Sequence, residues 1–400
     1  MPLKRHPGAA DQSGVDLNSL LSRAVETGAS DVHLKVARPP TLRRDGTLLP
    51  LGDWPALDDA ELENVLATVT AHDPARAAAF RESGELDLAY TPAGLPRFRV
   101  NGFRQRGAIS FAFRLIPSNI PVFGDLGLPE GVPLLAEEHR GLVLCTGATG
   151  SGKSTTLAAI VGHINATRHC HIVTIEDPIE FLHADTQSIV NQREVGLDTA
   201  SFQEALRRAL RADPDVILIG ELRDAVTTQT AMQAAESGHL VLSTLHTLDA
   251  AESIGRIIEF FPPEKHQLVR SILARVLRGV ISQRLLPRIG SGRVPAIEVM
   301  VNNARIAELI EENRVDEIEE AMADGAFFKM QTFNQALIHL VLTNEVERDV
   351  AANAATNRHD FLVALDRAVK QRAADERAAA EQESAEEEDA GLRLVQPGNQ

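Results

Sequence analysis

Up to about residue 120 the apolar and polar positions of the chain change period every few residues. Asp31-Val32-His33-Leu34-Lys35-Val36 alternates as a half-buried strand, Arg44-Asp45-Gly46 reads as a turn, and Asp58 or Asp59 can cap a helix through Val69. Further strands are predicted at 85–90, 97–103 and 108–116, which gives an antiparallel α+β domain. Pro117-Ser118-Asn119-Ile120-Pro121 is a stiff, non-helical connector. From Leu134 onward apolar runs of strand length alternate with segments of helical spacing, the pattern of a parallel sheet with crossovers. Its strands are read at 141–146, 172–176, 216–220 and 240–245. Each ends in polar residues at its C-terminal edge, where open α/β sheets bind ligands. Beyond Pro263 the chain reads as mostly helical, with one long amphipathic helix over 264–286.

Residues 371–390 are rich in Ala and Glu and lack a sustained apolar face, so they read as a solvated helix or a disordered tail. The predicted organisation is a disordered N-terminus at 1–14, an α+β domain at 15–117, an interdomain linker at 118–133, an α/β domain with a helical C-terminal part at 134–370, and an acidic disordered tail at 371–400. No internal repeat is visible. A length of 400 residues suits more than one core. The net charge of −16 argues against a general nucleic-acid binder, and the tail holds only part of it, with eight acidic residues against three arginines. Lys4, Arg5 and His6 are followed by no apolar stretch, and no later run reaches the roughly 20 apolar residues of a membrane span, so a cytosolic protein is expected. Cys145 and Cys170 fall in or beside core strands as small buried hydrophobes, and two thiols cannot build a four-thiolate zinc site.

The strongest chemical signal is Gly147-Ala148-Thr149-Gly150-Ser151-Gly152-Lys153-Ser154-Thr155. It fits the P-loop pattern and lies between the 141–146 strand and a helix over 153–165, whose Leu157, Ile160, Val161 and Ile164 have helical spacing. Glycines let the backbone aim N–H groups at phosphates and the helix N-terminus adds partial positive charge. Lys153 reaches the β/γ-phosphates, and the Ser154 hydroxyl can ligate Mg²⁺. This predicts a nucleoside triphosphatase.

Other segments offer partners for that chemistry. The apolar run 215–220 delivers Glu221 to the phosphate edge, to hold the Mg²⁺ shell or a water; pairing with Arg223 is the alternative. Thr174-Ile175-Glu176-Asp177-Pro178-Ile179-Glu180 brings three carboxylates to a turn that Pro178 keeps from being helical. Among them Glu180 is the choice for orienting or deprotonating the attacking water, with an exposed Asp-Pro turn as the bland reading. His239 and His246 bracket a buried strand on opposite faces and are unsuited to one metal. Each is either a γ-phosphate sensor or a structural histidine. Between Asp87 and Asp125 there is no acid, yet Arg97, Arg99, Arg104, Arg106 and Arg114 occur there, as a nucleic-acid surface, a solvated face, or arginine fingers for the triphosphate.

The ordered set comprises the P-loop, Glu176 to Glu180, Asn191-Gln192-Arg193-Glu194-Val195, Gly220-Glu221-Leu222-Arg223-Asp224, and Gly238 to His246. It resembles the secretion ATPases and, within them, the PilT-type retraction motors of type IV pili. The resemblance runs from about Val15 to about Asn344 and includes Ala29-Ser30-Asp31-Val32-His33-Leu34. It implies an α/β fold with an N-terminal PAS-like α+β domain, a RecA-like P-loop ATPase domain and a helical C-terminal part, assembled as a homo-hexameric ring with ATP at domain and subunit interfaces. By position it implies Lys153 and Ser154 as Walker A, Glu176, Asp177 and Glu180 as the Asp box, Glu221 as the Walker B acid, and His239 and His246 as the His box. Arg97, Arg99 and Arg114 then match the arginine fingers in register, and Arg106 is shifted by about one residue. Ala304-Arg305-Ile306-Ala307-Glu308-Leu309 resembles the Ala-Ile-Arg-x-x-Leu segment of retraction motors with Arg and Ile exchanged.

The resemblance implies ATP and Mg²⁺, and hydrolysis that drives pilus retraction and twitching motility from the cytoplasmic face of the inner membrane. The implied partners are an inner-membrane pilus platform protein and a paralogous retraction ATPase, with no direct nucleic acid. The competing readings are an accessory retraction ATPase, a pilus-assembly or type II secretion ATPase, a RecA-like nucleic-acid translocase, and a non-enzymatic regulator. Intact Lys153, Glu180 and Glu221 oppose the regulator. The acidic body and the lack of interleaved aromatic and basic residues oppose the translocase.

Overall fold

The computed structural model describes residues 16–44, 46–117 and 119–394. The expected disorder at 1–14, the Asp45 tip of the first turn, Ser118 of the connector and the last residues of the tail lie outside the described residues. The described chain forms two compact units. One runs through Ile120 and takes in Asp177–Ala184 and Glu194–Asp198; the other holds Pro121–Glu176, Asp185–Arg193 and the chain from Thr199 onward.

The first unit is a six-stranded antiparallel sheet. Its strands are β1 (Asp31–Lys35), β2 (Thr41–Arg44), β3 (Thr47–Pro50), β4 (Glu85–Tyr90), β5 (Phe98–Gln105) and β6 (Ala108–Leu115), in the order β3-β2-β1-β6-β5-β4. Alternation puts Val32, Leu34, Val100, Phe111 and Phe113 on one face, where Leu20 and Leu21 of helix Leu17–Glu26 and Leu62 and Leu66 of helix Asp59–Val69 complete the core. Asp58 caps the second of these helices in a full capping box with Glu61. On the other face Asp31, Arg114 and Arg99 are successive cross-strand neighbours. Arg106 and Gly107, both with positive φ, form the two-residue turn between β5 and β6. The β2–β3 hairpin was not among the predicted strands, because Thr47–Pro50 is exposed along its length and shows no alternation.

The second unit is built on seven strands. They are β7 (Gly141–Thr146), β8 (His171–Glu176), β9 (Ile189–Glu194), β10 (Val216–Ile219), β11 (Leu240–Leu245), β12 (Leu277–Pro287) and β13 (Arg293–Val301), in the order β13-β12-β7-β11-β10-β8-β9. β7, β8, β10 and β11 run parallel, β12 joins β7 in parallel, and β13 returns antiparallel to β12. β7, β10 and β11 are buried at every residue, which is why they read as continuous apolar runs.

Two expectations are corrected here. The long helix over 264–286 ends at Val276, and the chain continues as β12. Gly279 disfavours a helix, Val280 and Ile281 favour a strand, and pairing with β7 buries Leu277, Val280 and Ile281 completely. Of the two readings of the tail, residues 371–394 take the helical one and not the disordered one of the predicted organisation: they continue the 37-residue helix Arg358–Leu394. Ala, Glu, Gln and Arg are strong helix formers, and Phe361 and Leu365 anchor the start of this helix beside Leu337, Leu340 and Ala351. The expected linker at 118–133 contains the short helix Phe123–Leu126 and the start of Gly131–Ala136. Among the described residues no helix is long and apolar enough to cross a membrane.

Candidate nucleotide site

The parallel register of β7, β8, β10 and β11 places their C-terminal ends at one edge of the second unit's sheet. At that edge β7 runs into Gly147, β8 ends in Glu176, β10 leads through Gly220 to Glu221, and β11 leads to His246. Side chains tie the strand ends together: Ser243 donates to the Ile219 carbonyl at 2.7 Å and Thr244 to the Gly220 carbonyl at 2.6 Å.

Gly147, Gly150 and Gly152 have φ of +139°, +80° and +95°, a backbone that side chains rarely adopt. A Cβ at Gly147 would stand 2.5 Å from the Gln283 carbonyl and 2.6 Å from Ser151 Oγ, so the loop closes only around a glycine. Lys153 Nζ donates to the carbonyls of Gly147 and Ala148 at 2.7 and 3.0 Å, which curls the ammonium over the loop. Ser151 Oγ is buried without a hydrogen-bond partner, a cost that an acceptor such as a phosphate oxygen would relieve. Helix Lys153–Thr167 begins at the loop and has no side-chain cap, which leaves its first N–H groups to an anion. The loop therefore fits a polyphosphate. Ala148, Thr149 and Thr155 complete it without a charged group. No group of three or more His, Cys, Asp or Glu among the described residues could hold a metal by itself.

Glu221 lies beside Arg223, with which it is in direct contact, and its Oε2 is 3.2 Å from His246 Nε2. Burial pushes its carboxyl up, but the hydrogen bonds and charges of Arg223 and His246 more than reverse this and hold it below the usual carboxylate range. Glu221 thus stands just beyond β10 at the C-terminal edge of the sheet and makes the Arg223 pair that was its alternative reading. Asp224 acts locally and caps helix Ala225–Glu236, accepting from the Thr227 N–H at 2.8 Å.

Glu176 accepts from Thr174 Oγ1 at 2.6 Å and from Gln192 Nε2 at 3.2 Å. Asp177 and Glu180 are exposed and fall in the segment after β8 that is grouped with the first unit. His239 stands at the opposite end of β11 from His246. It precedes β11, seven residues or roughly 23 Å of strand from His246, and Nδ1 contacts the Ala234 carbonyl at 2.9 Å and Ser237 Oγ at 3.1 Å.

Within the first unit, Arg114 Nε is 2.9 Å from Asp31 Oδ1 and Arg99 lies 4.0 Å from Asp87, around a cavity of about 240 Å³. Arg97 is less exposed and pairs with Glu194 at 3.0 Å, while Arg106 is exposed at its turn. In helix Ala304–Glu311, Ile306 and Leu309 are buried and Arg305 faces Glu308 and Glu317 at 3.0 and 3.4 Å. The exchanged order of Arg and Ile thus still gives one apolar and one charged face.

β12 supplies support that no motif announced. Gln283 Nε2 donates to Thr156 Oγ1 at 2.9 Å, its Oε1 accepts from Cys145 Sγ at 3.2 Å, and Thr146 donates to Ser282 Oγ at 3.0 Å. Gly279 inside the predicted helix was the available signal. Cys145 is wholly buried, and burial pushes its thiol up to about 12, so it is an inert packing group.

Comparison with known proteins agrees with this arrangement. Residues 130–383 match the family described as type II/IV secretion system protein. The chain is 43% identical over 347 residues to the type IV pilus retractation ATPase PilT of Pseudomonas aeruginosa, which covers 87% of this chain and 100% of that protein. It is 40% identical over 347 residues to the type IV pilus ATPase PilU of the same organism, covering 86% and 90% of the two. The solved structure of the pilus retraction motor PilT with bound ADP superposes with a TM-score of 0.82 at 43% identity, covering 86% of this chain and 98% of that one. With its RecA-like sheet and complete P-loop, the chain is an ATPase that belongs to the type II/IV secretion system protein family, in its PilT-type pilus retraction branch.

Proposed function

We propose that this protein is a hexameric cytoplasmic motor that hydrolyses ATP to drive type IV pilus retraction, docked on an inner-membrane platform protein. The observation that carries the reading is the P-loop with its left-handed glycines, unpartnered Ser151 hydroxyl and curled Lys153, set beside the Glu221–His246 pair at one sheet edge. The loop N–H groups and Lys153 bind the phosphates, and Ser154 and Glu221 would hold Mg²⁺, which when bound supplies charge neutralisation across the phosphates. Glu180 orients and deprotonates the attacking water. His246 holds Glu221 in place and reports the γ-phosphate to β11. Arg99, Arg106 and Arg114 are exposed on the first unit and can serve as fingers for a neighbouring subunit's ATP.

The test is a deletion strain complemented with wild-type protein or with Glu180→Gln. Deletion should give cells with excess pili and no retraction, which wild type restores. Purified Glu180→Gln should bind nucleotide with near wild-type affinity and turn it over at most at about a hundredth of the rate. Normal retraction in the deletion strain would overturn the cellular role. Loss of nucleotide binding in Glu180→Gln would show that the residue is structural.

A further inference from the structure

Arg97 is held differently from the other arginines of its window. Its Nη2 lies 3.0 Å from Glu194 Oε2, and only 18% and 7% of the two side chains are exposed, against 47% for Arg99 and 70% for Arg114. The same Glu194 oxygen accepts from the backbone N–H of Ile179 at 3.3 Å, one residue before Glu180. Ile179 is itself buried. Both ends of this bridge are fixed. The Glu194 N–H donates to Asp198 Oδ2 at 2.8 Å, Arg76 Nη2 donates to the Gly196 carbonyl at 2.7 Å, and the Arg97 carbonyl accepts from Ile116 N at 2.9 Å. Every group named belongs to the first compact unit.

We propose that Arg97 is a positioning residue acting within its own chain: through Glu194 it fixes the Ile179–Glu180 turn, and does not reach a neighbour's triphosphate as a finger. A carboxylate so little exposed needs a counter-charge, and Arg97 supplies it. With Arg97 in place, the Glu194 charge is balanced and its oxygen is held against the Ile179 N–H. Without it, the Ile179 N–H loses its hold on Glu194, and a displacement of an ångström at Glu180 is enough to lower turnover by orders of magnitude. The inference rests on the reading of Glu180 as the residue that activates water.

The test uses the full chain and three measurements. Arg97→Ala should lower kcat at least about tenfold while KM for ATP stays within about twofold, since the turn orients water and does not bind nucleotide. Arg97→Lys keeps the charge opposite Glu194 and should retain roughly a third or more of wild-type kcat, a rescue not expected of a finger whose planar fork is needed. Arg97→Ala combined with Glu194→Gln should be no worse than Arg97→Ala alone, because the second change removes the buried charge that the first leaves unpaired.

Mixed assemblies of Arg97→Ala and Glu180→Gln subunits decide between the two roles. A finger acting across subunits would complement, because an Arg97→Ala subunit keeps its own Glu180 and borrows Arg97 from its neighbour. A residue acting within its own chain gives no recovery, and that is the expected result. Recovered activity in the mixture, an Arg97→Lys protein as inactive as Arg97→Ala, or strictly additive losses in the double variant would each overturn the proposal. A Glu180→Gln protein with wild-type turnover would instead remove the reading of Glu180 on which it rests.

Discussion

Glu298, in the middle of β13, is a buried carboxylic acid held by backbone N–H groups from other elements. It is 4% exposed, and its Oε1 accepts from the Ala250 N–H at 2.9 Å. Burial first, and then the neighbouring charges of Asp249 and Glu319, outweigh its bonds to the backbone of Ala250 and Phe333 and raise its carboxyl from 4.5 to about 7. Arg284 is the nearby cation, but its guanidinium is committed to the Phe333 ring, 3.9 Å from the centroid, and to Thr356 at 2.9 Å. Because the folded value lies above the unfolded one, the folded state holds the proton more tightly. The contribution of Glu298 is complete below about pH 4.5 and is lost as pH rises through about 7. Glu298→Gln keeps an acceptor for Ala250 and never ionises, so it should match wild type at pH 5 and exceed it at pH 8, by at most roughly 3 kcal/mol. Thermal melts of both proteins across that range check this, and a difference in melting temperature that does not grow with pH would refute it.

Among the elements, β12 bears on both the fold and the site. Its backbone at Gln283 closes the P-loop, and its Gly279 lies where a Cβ would stand 2.5 Å from the Met300 carbonyl and 2.6 Å from Leu135 Cδ1. Gly279→Ala must therefore push helix Gly131–Ala136 or β13 away, at a cost of about 1–3 kcal/mol. Denaturant unfolding should show that loss together with weaker nucleotide binding; unchanged stability would mean that Leu135 repacks freely. The same strand marks where the sequence was hard to read. β7, β10 and β11 were legible because strands buried on both faces are uninterrupted apolar runs, and the Asp58 cap was legible because its side chain bonds locally. Leu277–Pro287 has apolar residues that also fit a helical stripe, and only pairing with β7, far back in the chain, selects the strand. The site divides in the same way. Gly147 to Thr155 is a contiguous motif whose chemistry follows from spacing, and Glu221 and His246 follow from the strand ends. The links from Arg97 to Glu194 and from Gln283 to Thr156 join residues more than ninety positions apart, and no local pattern announces them.

For the whole molecule, the question is where the folded body ends. Helix Arg358–Leu394 begins inside it: Phe361 and Leu365 are buried at 0% and 1% with Leu337 and Leu340, and Arg348 pairs with Asp366 at 2.9 Å. Arg372 makes a further attachment, donating to the Leu342 carbonyl at 2.6 Å. Past Arg377 the sequence holds six acidic residues and one arginine, with Ala, Gln and Gly between them and few apolar side chains to bury. Helix propensity can order such a segment, but there is little burial to offset a backbone cost of about 1–2 kcal/mol per residue. A chain ending at Arg377 should therefore keep the melting temperature, assembly and ATP turnover of the full-length protein. A chain ending at Asp360 loses Phe361 and Leu365 and opens a cavity over Leu337. Removing one buried aromatic side chain alone costs about 3–5 kcal/mol, so this protein should melt many degrees lower or fail to accumulate. Calorimetry and turnover measured on the two truncations separate the cases. If ending the chain at Arg377 lowered the melting temperature by more than a few degrees or broke the assembly, the acidic helix would be packed on the motor, and the folded body would extend to the end of the helix.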